Sequence, residues 1–232
     1  MKLTEGQKAS IMGVIGDPVH SCGAYEDWMI PALWSEIENI MNNFAEGDSR
    51  FQNVDIIDRI NDYVKSNVSI RTEYFSFVEG SEEKFDNREL FFRTALAAFQ
   101  RRQAVCAGFI EATRCLLAAY GYKSYTLISK LPGANKQLLH YVCVVEKENG
   151  EYKVLDPERE GNCERKGYDF YRYLNGMTFI IPGADFCAEK IGSTGLGIKA
   201  SDYLSRSTTV CCDGVSEIGN LIRTMEVKGN AK

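Results

Sequence analysis

RRQAVCAGFIEATRCLLAAYGYKSY, residues 101–125, decides how the rest of the chain is read, because a cysteine stands at the point where a helical pattern begins. At about 100° per residue, Phe109, Ile110, Thr113, Leu116, Leu117 and Tyr120 fall within an arc of about 120°, and Cys106 lies inside the same arc. The spacing predicts a helix that opens at Cys106, turns this stripe toward the protein body and closes at Gly121. A thiol in that position faces unpaired backbone N–H groups and the positive end of the helix dipole, both of which favour a thiolate.

Downstream, KSYTLIS (123–129) reads as a strand and KLPGANKQ (130–137) as a loop. LHYVCVVEK and EYKVLDP read as a hairpin turning at Asn149-Gly150. A cysteine nucleophile needs a base within hydrogen-bond reach, and the base needs a partner that orients it. His140 begins one strand and Asp156 ends the other, so both lie at the open end. Because residues opposite one another in an antiparallel pair face the same way, loop length decides whether they can meet. A two-residue turn sets Asp156 opposite Cys143, on the face away from His140. A three-residue loop, Glu148-Asn149-Gly150, with glycine in the left-handed position of a bulge, sets Asp156 opposite Val142 and on the His140 face. The three-residue loop is the expected one.

Upstream, residues 1–24 are Gly-rich and read as irregular, and EDWMIPALWSEIENIMNNF (26–44) carries a helical repeat. A second helix follows Asn53, with Ile56, Ile57, Ile60 and Val64 on one face; NVSIRTEYFSF reads as extended and EGSEEKFDN as a loop. Asp86 or Asn87 is placed to cap a helix through RELFFRTALAAFQRR. FYRYLNGMTFIIPG is expected to return to the sheet, and VSEIGNLIRTM in the tail is a weak helical pattern. The division is an N-terminal helical extension (1–53), a core (54–185) and a C-terminal extension (186–232), in an α+β fold with helices packed on an antiparallel sheet.

The 232 residues carry a net charge of −5 without blocks of Lys or Arg, which argues against nucleic-acid and membrane-surface partners. The N-terminus lacks the apolar run of a secretory signal, and no stretch approaches the roughly 18 apolar residues that span a bilayer, so the chain reads as cytoplasmic as written. A signal-independent route of secretion stays open. Eight cysteines in this context are expected to stay reduced. With two histidines, no CxxC pair and only Cys211-Cys212 adjacent, no metal and no cofactor is expected.

AVCAGFIEATRCLLAAYGYKSYTLI, LHYVCVV and NGEYKVLDP together resemble the core of the transglutaminase-like superfamily, a branch of the papain-like thiol enzymes, in a bacterial-type form. That family's order is cysteine at a helix start, histidine on a strand and aspartate at the end of the next; IIDRINDYVKSNVSI looks like the helix preceding the core. The resemblance, over about residues 54–160, implies Cys106 as nucleophile, His140 as general acid/base and Asp156 as its orienting group. The family often has glycine two before the cysteine and tryptophan two after the histidine; here Ala104 and Val142 stand there. The Cys106 backbone N–H is the first candidate oxyanion donor. Gln100, at a spacing similar to the papain family's oxyanion glutamine, is a candidate for the second, and Gln103 is a weaker one.

Cys115 and Cys143 read as structural. His20 and Cys22 form a rival pair without a positioned acid, and GSTGLG lacks the lysine of a phosphate loop. Cys211-Cys212 reads as an ordinary loop pair, while Tyr141, Tyr168, Tyr171 and Tyr173 read as core more than as groove. The expected activity is acyl transfer from an amide of a protein or peptide through a thioester on Cys106. Hydrolysis, by a peptidase or glutamine deamidase, comes first because water is always present; a transglutaminase would resolve the thioester with an amine. The rival is a silent binding or scaffold protein on the same fold, in which His140 is buried, hydrogen-bonded elsewhere and out of reach of Cys106. Oligomeric state is open.

Overall fold

The computed structural model describes residues 1–17, 25–46, 54–71, 90–130, 139–166, 178–182 and 207–211, with residues 128–130, 139, 162–166, 178–182 and 207–211 described by their backbone alone. Helices α1 (Glu5–Ile15), α2 (Met29–Glu46) and α3 (Ile56–Asn67) come first, then the short strand β1 (Ser69–Ile70), α4 (Ala95–Arg101) and β2 (Gln103–Ala104). Next are α5 (Cys106–Ala119), β3 (Ser124–Lys130), β4 (Leu139–Glu146), β5 (Tyr152–Leu155), α6 (Pro157–Lys166), β6 (Thr178–Pro182) and β7 (Ser207–Cys211). β1 and β2 pair in parallel, while the main sheet is antiparallel in the order β5-β4-β3-β6-β7. The architecture is α+β, with helices packed against this sheet.

α5 opens at Cys106 because Val105 is extended (φ −92°, ψ 172°). It closes in a Schellman motif: Tyr122 N–H donates to Leu117 O at 2.9 Å and Gly121 N–H to Ala118 O at 3.0 Å, with Gly121 at φ +85°. The sequence stripe understated its burial, since every residue from Ala107 to Ala119 is buried. α1, α3 and α4 pack around it together with β4 and β3. Full burial forces two charged residues inside, and both are paired. Arg114 donates to Asp17 Oδ2 (2.6 Å), Thr126 Oγ1 (2.7 Å) and Ser124 O (3.0 Å). Glu111 Oε2 accepts from Tyr25 Oη–H (2.5 Å) and from Ala95 N–H (2.7 Å), which ties the start of α4 to the middle of α5.

The opening residues are a helix, not irregular chain. Thr4 accepts from Gln7 N–H while Gln7 Oε1 accepts from Thr4 N–H, a capping box that starts α1. Ile11, Val14 and Ile15 are buried in the core that also holds Leu116 and Leu117, and Gln7 Nε2–H donates to Ala119 O at 2.6 Å. Thr94 caps α4; Asp86 and Asn87 lie outside the described residues, as do EGSEEKFDN, KLPGANKQ from residue 131, GSTGLG and VSEIGNLIRTM. β6 returns to the sheet as expected, and β7, which the sequence pattern had left unassigned, extends it.

The backbone of α5 passes very close to the turn before α4. A Cβ built on Gly108 would meet Phe92 O at 2.6 Å and Ala104 Cβ at 2.9 Å, and Phe92 O already accepts from Val105 N–H at 3.0 Å. Helix propensity alone favours Gly→Ala by about 1 kcal/mol. Here overpacking against backbone outweighs it, so Gly108→Ala is expected to destabilise the fold by about 1–3 kcal/mol, read as a lowered urea midpoint. An unchanged or raised midpoint would show that the 92–93 turn yields without cost.

Candidate active site

The β4–β5 hairpin has the three-residue loop. Cys143 pairs with Leu155, Val144 with Val154, Val145 with Lys153 and Glu146 with Tyr152. Lys147 N–H donates to Glu151 O at 2.8 Å, Gly150 N–H to Lys147 O at 2.9 Å, and Gly150 has φ +78°, a left-handed conformation that costs glycine little. One step further in this register Asp156 stands opposite Val142, on the face of β4 that His140 shares with Val142 and Val144. His140 Nε2 and Asp156 Oδ2 are 2.6 Å apart, at 2% and 0% side-chain exposure.

Asp156 is held from several sides. It caps α6, a helix the sequence reading missed: Oδ1 accepts from Arg159 N–H at 3.1 Å, and its carbonyl accepts from Glu160 N–H at 2.9 Å. Glu160 Oε1 accepts in return from Asp156 N–H at 3.2 Å, and Glu160 Oε2 accepts from Asn61 Nδ2–H at 2.5 Å. The signal was present in "DPERE", an N-cap aspartate, proline in the first turn and acidic residues after it.

With Nε2 committed to Asp156, Nδ1 is the ring nitrogen left to face the thiol, and the Cys106 sulfur lies within 4.8 Å of a His140 ring nitrogen. Burial opposes charge on the imidazole. The Asp156 carboxylate and its hydrogen bond, the neighbouring Cys106 and the charge of Glu158 outweigh that and hold the ring's pKa well above the ordinary histidine value. Cys106 is partly exposed, whereas Cys115 and Cys143 are buried, and burial pushes the Cys143 thiol up to about 12. Neither buried thiol is suited to react. Val105 gives α5 no side-chain cap, and the first helical bond runs from Phe109 N–H to Val105 O, so the N–H groups at Cys106, Ala107 and Gly108 precede the ladder.

The site also holds Glu158, which sequence reasoning did not single out. It sits in the first turn of α6, is 3% exposed, and places Oε2 3.9 Å from His140 Nδ1. Desolvation raises its carboxyl pKa, and Asp156 raises it further, against the lowering influence of His140 and Arg159. Gln100, in the last turn of α4, and Gln103, on β2, are both exposed. Tyr141 is half-buried and its Oη lies 3.2 Å from Arg93 Nη2. His20, Cys22, Tyr168, Tyr171, Tyr173 and Cys212 fall outside the described residues, and Cys211 is described by backbone alone. Among the described residues no helix is long and apolar enough to cross a membrane.

No family model and no curated protein matches the chain. Among solved structures it is similar to a proposed cysteine protease from Cytophaga hutchinsonii, with 14% identity and a TM-score of 0.37 over 58% of this chain and 43% of that one. It is also similar to a TGase, with 17% identity and a TM-score of 0.38 over 55% of this chain and 30% of that one. The chain thus spans less than half the length of either.

Proposed function

We propose that the chain is a cysteine-dependent acyl-transfer enzyme of transglutaminase-like type, acting on an amide of a protein or peptide. The observation that carries this reading is the position of His140, bound to Asp156 through Nε2 at 2.6 Å and with a ring nitrogen within 4.8 Å of the Cys106 sulfur. A silent scaffold would have no need to bury an imidazole between a thiol and a carboxylate at the start of an uncapped helix.

In the proposed reaction His140 Nδ1 takes the Cys106 proton and the sulfur attacks the amide carbonyl. The Cys106 backbone N–H supports the oxyanion, with Gln100 kept as the candidate second donor. The tetrahedral intermediate collapses to a thioester as His140 returns its proton to the leaving nitrogen, which departs as ammonia or an amine. Asp156 keeps the ring in the tautomer that presents a lone pair to sulfur and stabilises the imidazolium. Water, activated by His140, then attacks the thioester and yields the carboxylic acid. Hydrolysis, as glutamine deamidation or peptide cleavage, is preferred over amine transfer, because a partly exposed Cys106 gives water ready access to the thioester.

The test has two stages. Iodoacetamide is expected to label the wild-type chain rapidly at pH 6, where an ordinary thiol near pH 8.5 is almost unreactive. Labelling should vanish at that site in Cys106→Ala and slow in His140→Ala. Glutamine-containing peptides are then followed by mass spectrometry with and without a primary amine: a gain of about 1 Da marks deamidation, a split marks peptidase action, and an amine adduct marks transglutamination. Cys106 labelling no faster than in denatured protein would sink the enzyme reading.

A further inference from the structure

Glu158 has no role in the reaction written above. Both of its carboxylate oxygens are buried and lack a hydrogen-bond partner among the described residues; its closest cationic neighbour, Arg159 Nε, stands 3.6 Å from Oε1. A buried carboxylate without donors is costly unless positive charge answers it, and here His140 and Arg159 answer it from 3.9 and 3.6 Å, beyond hydrogen-bond distance. Its Oε2 looks toward His140 Nδ1, and one ligand atom from each of Cys106, His140 and Glu158 lies within 4.8 Å of the other two.

From this arrangement we propose that Cys106 Sγ, His140 Nδ1 and Glu158 form a binding site for Zn²⁺ that competes with acyl transfer. Sulfur, imidazole nitrogen and carboxylate oxygen are the ligand set of a borderline-soft cation, and three protein ligands leave a fourth tetrahedral position for water. Bonds of about 2.0–2.3 Å at tetrahedral angles separate ligand atoms by roughly 3.3–3.6 Å. The 3.9 Å between Nδ1 and Oε2 therefore needs only a small contraction. The outer shell already suits a metal: Nε2–H is directed at Asp156, the carboxylate–histidine arrangement that fixes the tautomer and raises the basicity of the coordinating nitrogen. On binding, zinc displaces to solvent the protons carried by Cys106 Sγ, His140 Nδ1 and Glu158 and forms bonds to sulfur, nitrogen and oxygen, so the nucleophile and its base are both occupied. Composition argued against zinc because spacing motifs were absent; the fold supplies the three ligands from α5, β4 and α6 instead.

The proposal shares its residues with the acyl-transfer reading but stands or falls separately. The full chain, stripped with EDTA and dialysed, is titrated with Zn²⁺ at pH 7.5 by calorimetry, and metal retained after desalting is counted. Parallel samples measure iodoacetamide protection at Cys106. The expected result is one Zn²⁺ per chain that blocks labelling, affinity at least tenfold weaker in Glu158→Gln, and loss of that one equivalent in Cys106→Ala. Circular dichroism of each variant confirms that it is folded. Equal affinity in wild type and Glu158→Gln, or one equivalent retained in Cys106→Ala, would overturn the site. Activity in EDTA with no zinc bound at Cys106 would defeat this inference and leave the enzyme reading intact, whereas stoichiometric zinc without fast labelling or turnover would do the reverse.

Discussion

Asp156→Ala is expected to slow acylation of Cys106 by about 10²–10⁴-fold, the range that positioned proton transfer contributes. Two separate losses follow from one carboxylate. His140 loses the acceptor at 2.6 Å that sets its tautomer, and α6 loses the cap to Arg159 N–H, which costs about 1–2 kcal/mol of stability. Asp156→Asn separates them. Its side-chain oxygen can still accept from Arg159 N–H, so the fold is retained, but its amide cannot accept the imidazole proton. The rate is therefore expected to fall nearly as far in Asp156→Asn as in Asp156→Ala, while the urea midpoint falls only in the latter. Burst kinetics with an activated ester and equilibrium unfolding of the two variants measure this. A wild-type burst in Asp156→Asn would remove the aspartate from the proposed machinery.

Glu111 is expected to make stability fall as pH rises. Burial lifts its carboxyl from 4.5 to about 7, against the hydrogen bonds from Tyr25 and Ala95 N–H and the nearby charges of Arg114 and Arg93. Below about pH 4.5 the group is protonated in both states and contributes its full share. Between about 4.5 and 7 the unfolded chain releases this proton while the folded chain keeps it, so unfolding gains. The difference of roughly 2.5 pKa units corresponds to about 3 kcal/mol, lost across that window and flat above it. Glu111→Gln keeps an oxygen that can accept from Tyr25 and Ala95 but has no proton to release. Urea unfolding at pH 5 and pH 8 should therefore show a steeper loss in wild type than in Glu111→Gln, by about this amount. Parallel pH dependences would place the group's titration elsewhere. Glu111→Ala, which strips the acceptor and leaves a cavity, should cost about 2–4 kcal/mol at pH 5 as well.

Much of the site could be read from the chain because its parts depend on local rules. Gly150 selected the hairpin loop, the loop selected the register, and the register put Asp156 and His140 on one face. The start of α5 at Cys106 and its end at Gly121 were likewise written in neighbouring residues. What was missed depended on partners far away in sequence or on weak pattern. α1 buries only Ile11, Val14 and Ile15 and is interrupted by glycines, so its stripe was faint although the Thr4–Gln7 box marked its start. α5 carries charges on the side that the stripe assigned to solvent; partners such as Tyr25, Asp17, Thr126, the Ser124 carbonyl and the Ala95 amide make their burial possible. Glu158 became visible once α6 was seen to begin at Asp156, since the same turn that caps on the aspartate brings the glutamate to the imidazole.

The docking of α1 on α5 also bears on how the molecule is made. Gln7 reaches a carbonyl 112 residues further along the chain. At about 5–20 residues per second, a ribosome that has released α1 needs on the order of ten seconds to produce its seat. An 11-residue helix is marginal by itself even with a capping box, so Ile11, Val14 and Ile15 remain open to chaperones during that interval. α1 is thus made well before the seat that fixes it.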